Sequence, residues 1–215
     1  MNELKTLIFD MDGTLIDTEK YYRIMWPKAL EHFGYHMTDE ESLSLRSLGR
    51  PFIIEHMKNL YGEDFDYITI RDYRKKLMED ILTKNGIECK KGARSLLQYL
   101  KEHGYQTAVA TASDLERTVR YLKQIDLLEY FDELISATMV KNGKPAPDIY
   151  LHACKQLGKK PEECIAVEDS PNGVMSAYTA GCKVIMVPDQ TEPDTELSKL
   201  LYRTVSSLDQ LITIL

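Results

Sequence analysis

Five times along this chain a short, apolar, β-rich run stops abruptly at polar or turn residues: 6–9, 107–110, 133–137, 164–167 and 183–187. Runs this short that are apolar throughout, rather than alternating, fit strands covered on both faces, as in a parallel sheet. Parallel neighbours need long crossovers, and amphipathic stretches supply them. Residues 93–102 carry Leu96, Leu97 and Leu100 at helical spacing, and 114–124 carry Leu115, Val119 and Leu122. Residues 147–157 and 171–180 each have a proline near a helix start, where its missing N–H costs little. The alternation predicts an α/β fold, a doubly wound parallel sheet.

One region breaks the rhythm. From about residue 18 to residue 83 no strand pattern occurs, and helical patterns fill 21–33, 52–60 and 67–82. The expected organisation is a core domain of residues 1–16 and 85–215, with a small all-helical cap domain, 17–84, inserted after the first strand. A chain of 215 residues has room for one core and an insertion, but not for two full-sized domains. The stretch 188–193 reads as a surface loop and 208–215 as a closing helix.

Charge and composition narrow the function. The 27 Lys and Arg against 34 Asp and Glu leave a net charge of −7, which argues against broad nucleic-acid binding, because that needs a basic face. A small anionic substrate stays compatible, since one pocket can be locally positive. No stretch approaches the roughly 18 apolar residues of a membrane span, and no cationic segment followed by a long apolar run opens the chain. The expectation is a cytoplasmic monomer that engages neither membrane nor nucleic acid. Cys89, Cys154, Cys164 and Cys182 form no C-x-x-C pair and no zinc spacing, so they read as reduced thiols, with Cys164 and Cys182 as small buried hydrophobes.

The strand ends carry the chemistry. In Leu7-Ile8-Phe9-Asp10-Met11-Asp12-Gly13 a buried strand runs into two carboxylates one residue apart. Open α/β sheets bind ligands at the carboxyl ends of their strands, and two acids there are unfavourable unless a cation or a reaction needs them. The competing reading of Asp12-Gly13 is a plain turn. Thr111-Ala112-Ser113, after the second strand, offers a hydroxyl and backbone N–H groups to a phosphate oxygen; by itself the segment reads first as a helix start capped by Ser113. Lys144 is followed closely by Pro145 and Pro147, which stiffen its loop, although a lone lysine is also an ordinary solvated residue. Glu168-Asp169 is a second acidic pair at a strand end.

Taken together, these residues fit phosphoryl chemistry. Asp10 and Asp169 can bind Mg²⁺, which favours a few carboxylates plus substrate phosphate. Lys144, Thr111 and backbone N–H groups would neutralise phosphoryl oxygens. Asp10 is the natural nucleophile, with Asp12 protonating the leaving oxygen and then deprotonating water.

The sequence resembles the haloacid dehalogenase superfamily, in the branch with a small helical cap. Its four motifs are matched in order by Asp10-Met11-Asp12-Gly13-Thr14, Thr111, Lys144 and Glu168-Asp169, and the likeness spans essentially the whole chain. The resemblance implies a Rossmann-like core, Asp10 as nucleophile and Asp12 as acid and base. It implies a metal on the Asp10 carboxylate, the Asp12 main-chain carbonyl and Asp169, with Glu168 as a further acid of the metal site. Thr111 and Lys144 would hold the phosphoryl group, with Ala112 and Ser113 beside it. An aspartate at position 12 argues for phosphoryl transfer, since dehalogenase members have no leaving alcohol to protonate.

Within the superfamily the chain is similar to β-phosphoglucomutase-like proteins and their sugar-phosphatase relatives. Arg46 and Arg50 fall where the mutase cap has a lysine and an arginine that hold substrate, and a guanidinium fork suits a polyhydroxyl or anionic group. The alternative for both is an exposed loop. Tyr22 stands in place of the mutase's cap histidine, and Asp114-Leu115 in place of its Lys-Asn pair. Both departures favour transfer to water. The expected activity is therefore Mg²⁺-dependent hydrolysis of a small phosphorylated metabolite, such as a sugar phosphate. A phosphomutase and a non-catalytic phosphometabolite-binding module are the alternatives. Trp26, Tyr21 and Tyr22 read as cap packing, with Tyr22 able to face the pocket.

Overall fold

The computed structural model describes residues 4–215. Among these, the six strands are β1 (Thr6–Phe9), β2 (Gln106–Thr111), β3 (Glu133–Ser136), β4 (Ile165–Glu168), β5 (Lys183–Met186) and β6 (Arg203–Thr204). They form one sheet in the order β3-β2-β1-β4-β5-β6, with every pair parallel. The α-helices are α1 (Glu19–His32), α2 (Asp39–Ser44), α3 (Phe52–Tyr61), α4 (Tyr67–Asn85), α5 (Ala93–Glu102), α6 (Leu115–Gln124), α7 (Asp148–Gln156), α8 (Pro171–Ala180) and α9 (Thr195–Ser198).

The sheet is doubly wound because alternate residues of each strand serve opposite layers. Leu7, Phe9, Val109 and Val167 point into one apolar cluster with Leu96, Leu97 and Leu100 of α5 and Leu122 of α6. Ile8, Ala108, Ala110 and Ala166 point into the other, against Tyr150 and Ala153 of α7 and Val174 and Ala177 of α8. Small alanines on that second face let α7 and α8 approach closely. Each fully buried Leu or Ile contributes about 1.5–3 kcal/mol relative to exposure. The strand order reverses between β1 and β4, and that switch point is where a crevice opens beyond the strand ends.

Helices α1 to α4 lie between β1 and α5 and have an apolar cluster of their own, built on Trp26, Leu30, Met57, Phe65 and Ile70. Met25, Met78 and Leu82 extend the sheet's first cluster into this layer. The chain enters and leaves it through a paired neck: Lys90 N–H donates to Leu15 O (2.9 Å) and Asp17 N–H to Glu88 O (2.9 Å).

Several details depart from the sequence-based expectation. Residues 208–215 do not form an α-helix; a 3₁₀ helix covers Leu208–Thr213. The buried face of α6 is Thr118, Tyr121 and Leu122, while Leu115 is exposed. The face is turned because Tyr121 and Leu122 join the sheet's first apolar cluster while Leu115 faces solvent. Helix α2 was not anticipated, although Thr38 and Glu41 carry its capping-box pattern. Strand β6 and helix α9 are too short to leave a periodic signal. Cys164 and Cys182 are buried and Cys89, Cys154, Cys164 and Cys182 are all free thiols. Among the described residues no helix is long and apolar enough to cross a membrane.

Candidate active site

The carboxyl ends of β1, β2 and β4 meet at one buried polar cluster. Asp10 follows β1 directly and its N–H donates to Val167 O of β4 (2.9 Å), which ties the two strand ends together. Lys144 arrives from the loop between β3 and α7 and is fully buried. Its Nζ lies 2.5 Å from Asp10 Oδ1 and 2.6 Å from Glu168 Oε1. The Tyr150 hydroxyl donates to the same Glu168 oxygen (2.6 Å). The acids Asp10, Glu168 and Asp169 present oxygens within 4.8 Å of one another, a grouping able to hold a metal ion.

Charge balance in this cluster is incomplete. Burial, reinforced by Glu168 and Asp169, pushes the Asp10 carboxyl up, and Lys144 opposes it. Burial likewise pushes Asp169 up to about 6 despite the Arg46 guanidinium beside it, and it pushes Glu19 up with Asp169 adding to the effect. Lys144, despite its own burial, is raised by Asp10 and Glu168 and stays protonated. Asp10 Oδ2 is buried with no hydrogen-bond partner. An orphaned carboxylate oxygen amid an excess of buried acids is the environment a divalent cation relieves.

Asp12 sits across from this cluster with both oxygens engaged. Its Oδ1 accepts from Thr18 Oγ1 (2.6 Å) and Arg117 Nη2 (2.7 Å), and its Oδ2 accepts from Ser113 Oγ (2.8 Å). Gly13, at φ +87°, turns the chain away where any Cβ would run into the Asp169 carboxylate. The reading of Ser113 as a helix cap is corrected. Asp114 caps α6 by accepting from Arg117 N–H, which frees the Ser113 hydroxyl for Asp12. Thr111 is buried at the end of β2, and its Oγ1 accepts the Ser113 N–H (3.1 Å).

A cavity of about 150 Å³ opens over Asp10 and Asp12, with Thr111, Ala112 and Ser113 on its wall and Arg46 and Arg50 on the side of the helical layer. Arg46 is not part of an exposed loop. It is buried, its Nη2 bonds the Asp169 carboxylate and carbonyl, and its Nη1 donates to Thr191 Oγ1 (2.8 Å). Arg50 is exposed at the mouth. Gly49, between them, donates its N–H to Lys144 O (2.8 Å), and Gly143 N–H donates to Arg50 O (2.6 Å). The helical layer is thus stitched to the Lys144 loop through main chain.

Arg117 and Arg74 are among the cavity-lining residues missed in the sequence, with the buried Glu19 and the cations Arg71 and Lys75. Arg117 reaches Asp12, bonds the Tyr22 hydroxyl and stacks between the Tyr22 and Tyr121 rings. Its signal was the Arg117–Tyr121 pair at helical spacing, directly after the phosphate-type loop. Arg74 of α4 also lines the cavity, and nothing in its local sequence separates it from the surrounding surface charges.

The model of haloacid dehalogenase-like hydrolases matches residues 7–187. Among curated relatives, the chain is 30% identical over 186 residues to a phosphorylated carbohydrates phosphatase of Thermotoga maritima, covering 85% of this chain and 84% of that one. It is 32% identical over 209 residues to hexitol phosphatase A of Escherichia coli, covering 96% and 93%. Among solved structures, CbbY from Rhodobacter sphaeroides in complex with phosphate superposes with a TM-score of 0.79 at 26% identity, covering 97% of this chain and 96% of that one.

Proposed function

Because the chain belongs to the haloacid dehalogenase-like hydrolase family, we propose that it is a Mg²⁺-dependent phosphatase. Its substrate is a small phosphorylated metabolite of the sugar or polyol phosphate class, cleaved through a phosphorylated Asp10. The observation that carries this reading is Asp10 itself: one oxygen pinned by Lys144, the other buried without a partner on the floor of a cavity that Asp12 also lines. The phosphorylated-carbohydrate and hexitol phosphatases among its relatives support the substrate class.

The chemistry follows from these positions. An Asp10 oxygen attacks phosphorus while the bond from phosphorus to the substrate's ester oxygen breaks. The Asp12 carboxyl gives its proton to that leaving oxygen. Water then attacks the phosphorylated Asp10, Asp12 takes its proton, and inorganic phosphate leaves with Asp10 and Asp12 restored. Lys144 neutralises negative charge at the reacting group, with Thr111, Ala112 and Ser113 contacting phosphoryl oxygens. The residues fit a divalent cation: Asp10, Asp169 and the Asp12 carbonyl would hold it, with Glu168 adjoining, and it would supply charge neutralisation for the phosphoryl oxygens.

Helices α1 to α4, residues 17–84, act as the cap over the core of residues 1–16 and 85–215, closing on substrate to exclude water. The paired neck at Leu15–Asp17 and Glu88–Lys90 is the place for its hinge. Arg50 serves the distal part of the substrate, and Arg46 joins it once released from Asp169. Phosphate release from p-nitrophenyl phosphate and from a panel of sugar and polyol phosphates, with and without Mg²⁺, tests the proposal. Metal-dependent release that is lost in Asp10→Asn is the expected result; no release, or equal behaviour of the two proteins, overturns it.

The second reading, a phosphomutase, predicts isomerisation stimulated by a bisphosphate with little net phosphate. Asp114, occupied as the cap of α6 and paired with Lys75 (3.0 Å), favours hydrolysis instead, since it is not a cation that could steady a bisphosphate.

A further inference from the structure

Three of the four cysteines meet on the face of the sheet that α7 and α8 cover. The pairing of Ile165 with Lys183 sets the residues just before β4 and β5, Cys164 and Cys182, side by side, and Lys183 N–H donates to Cys164 O (3.1 Å). Both stand at the amino ends of their strands, opposite the edge that carries Asp10 and Asp169. Cys154 of α7 packs with them in the same apolar cluster. Its Sγ lies 3.9 Å from the Sγ of Cys182, whereas Cys164 Sγ donates to Lys160 O (3.5 Å). All three are free thiols, and Cys154, Cys164 and Cys182 are 1%, 0% and 6% exposed.

As packing groups these thiols act like small hydrophobes, but two sulfurs in contact can also react. A disulfide needs an S–S distance of about 2.05 Å, so Cys154 and Cys182 reach it by side-chain rotation and a modest approach of α7. Cys182 follows the exposed Gly181 in the turn between α8 and β5, which gives a small oxidant its way in. Cys154 ionises most readily of the three, because the Cys164 and Cys182 thiols donate towards its sulfur. That same contact, with burial, pushes Cys182 up. The thiolate is the nucleophile in thiol chemistry, so Cys154 is the attacking partner and Cys182 the sulfur attacked.

Helix α7 connects this pair to the candidate active site. Tyr150 and Cys154, four residues apart, share its buried face. The Tyr150 hydroxyl donates to the Glu168 oxygen that also accepts from Lys144. Below α7 the sheet presents the small residues Ala108, Ala110 and Ala166, and an interior packed this closely passes a displacement on rather than absorbing it. Drawing Cys154 towards Cys182 therefore shifts Tyr150 against Glu168.

We propose that Cys154 and Cys182 form an oxidation site, which a hydroperoxide converts to a reversible disulfide that slows turnover through α7, Tyr150 and Glu168. The effect on turnover rests on the phosphatase reading; the cross-link does not. In the first step the Cys182 sulfur takes the terminal oxygen of the hydroperoxide ROOH, the O–O bond breaks, and ROH leaves behind a sulfenic acid. In the second the Cys154 thiolate attacks that sulfur, the S–O bond breaks, and the departing hydroxide becomes water with the proton that Cys154 gave up. Two thiols and one ROOH yield one disulfide, ROH and water, and the two electrons lost by sulfur reduce the O–O bond.

The reduced protein is treated with hydrogen peroxide, alkylated and digested without reductant. Peptide mass spectrometry should find Cys154 joined to Cys182, with Cys89 and Cys164 alkylated. Mg²⁺-dependent hydrolysis of p-nitrophenyl phosphate should fall roughly ten-fold, and dithiothreitol should restore it. Cys182→Ala should match reduced wild type and keep its rate after peroxide, while Cys89→Ala, altered at a half-buried thiol outside the cluster, should stay sensitive. Single cysteines oxidised to sulfinic or sulfonic acid without a cross-link, a cross-link through Cys89 or Cys164, or inactivation that persists in Cys182→Ala overturns the proposal. So does the expected cross-link with undiminished turnover. If Cys182→Ala does not fold, as judged by circular dichroism, the wild-type peptide map and the recovery in dithiothreitol decide. Absence of turnover in the reduced wild type removes the phosphatase reading, while the peptide map still judges the pair.

Discussion

Gly49, between α2 and α3, and Gly143, one residue before Lys144, lie main chain against main chain. A Cβ on either would come within 2.6 Å of the other's Cα. Neither needs a left-handed backbone, so the requirement for glycine at both positions is the contact itself. The same contact carries the hydrogen bonds from Gly49 to Lys144 and from Gly143 to Arg50, which makes it a main-chain joint between the helical layer and the loop that carries Lys144.

Gly49→Ala should therefore weaken closure and shift the Lys144 loop without disturbing either apolar core. A displacement near 1 Å at a reacting group can lower the rate about 100-fold. The expected result is a loss of kcat/KM of roughly 10- to 100-fold with an unfolding midpoint close to wild type. Wild-type kinetics in the alanine variant would show that the joint plays no part in turnover.

Asp12→Asn should discriminate between leaving groups. An alkyl phosphate leaves as a strongly basic alkoxide and needs a proton; an aryl phosphate does not. General acid catalysis contributes about 10²–10⁴-fold, so hydrolysis of a sugar phosphate should fall by that range while p-nitrophenyl phosphate is affected less in the first chemical step. Burst kinetics, which separate the two steps, check this. An equal first-step loss on both substrates contradicts the acid role.

Lys144→Met should destabilise the fold. Lys144 is wholly buried between Asp10 and Glu168, and deleting one partner of a buried ion pair costs about 3–5 kcal/mol. Urea unfolding of the metal-free protein measures it. Mg²⁺ should restore part of the loss, because a cation meets the same oxygens.

The metal-free protein should lose stability as pH rises. Burial holds Asp169 at about 6, above the unfolded value near 4. Between those values the folded chain keeps a proton that the unfolded chain has released, so unfolding free energy falls with increasing pH. Asp10 and Glu19 are raised by burial and act in the same direction. The Tm without metal should be lower at pH 7.5 than at pH 5.5, and Mg²⁺ should raise Tm more at pH 7.5 than at pH 5.5. Equal Mg²⁺ shifts at the two pH values would count against this account.

What the sequence disclosed, and what it withheld, follows from the range of each interaction. Asp10, Asp12, Thr111, Lys144, Glu168 and Asp169 could be read because each stands at a strand end or in the loop that follows one, and a parallel sheet brings all such ends to one edge. The sheet's core was readable for the same reason: its strands are apolar on both faces. The partner of Arg46 was not readable, because Asp169 lies 123 residues away and meets it only when the helical layer docks. Arg74 and Arg117 were hidden among surface charges on α4 and α6, where a helix that faces a polar cavity has the same composition as one that faces water. Ser113 was misread because the local capping pattern is satisfied equally well one residue later by Asp114.

The complete burial of Lys144, Glu168 and Asp169 has a practical corollary. Dissolved salt screens charges that it can surround, over a Debye length of about 8 Å at physiological ionic strength, and it cannot surround these. Varying ionic strength therefore leaves the bond-breaking events untouched and acts on the exposed charges of the rim, Arg50 foremost. The salt dependence of turnover becomes a measure of how an anion finds the entrance.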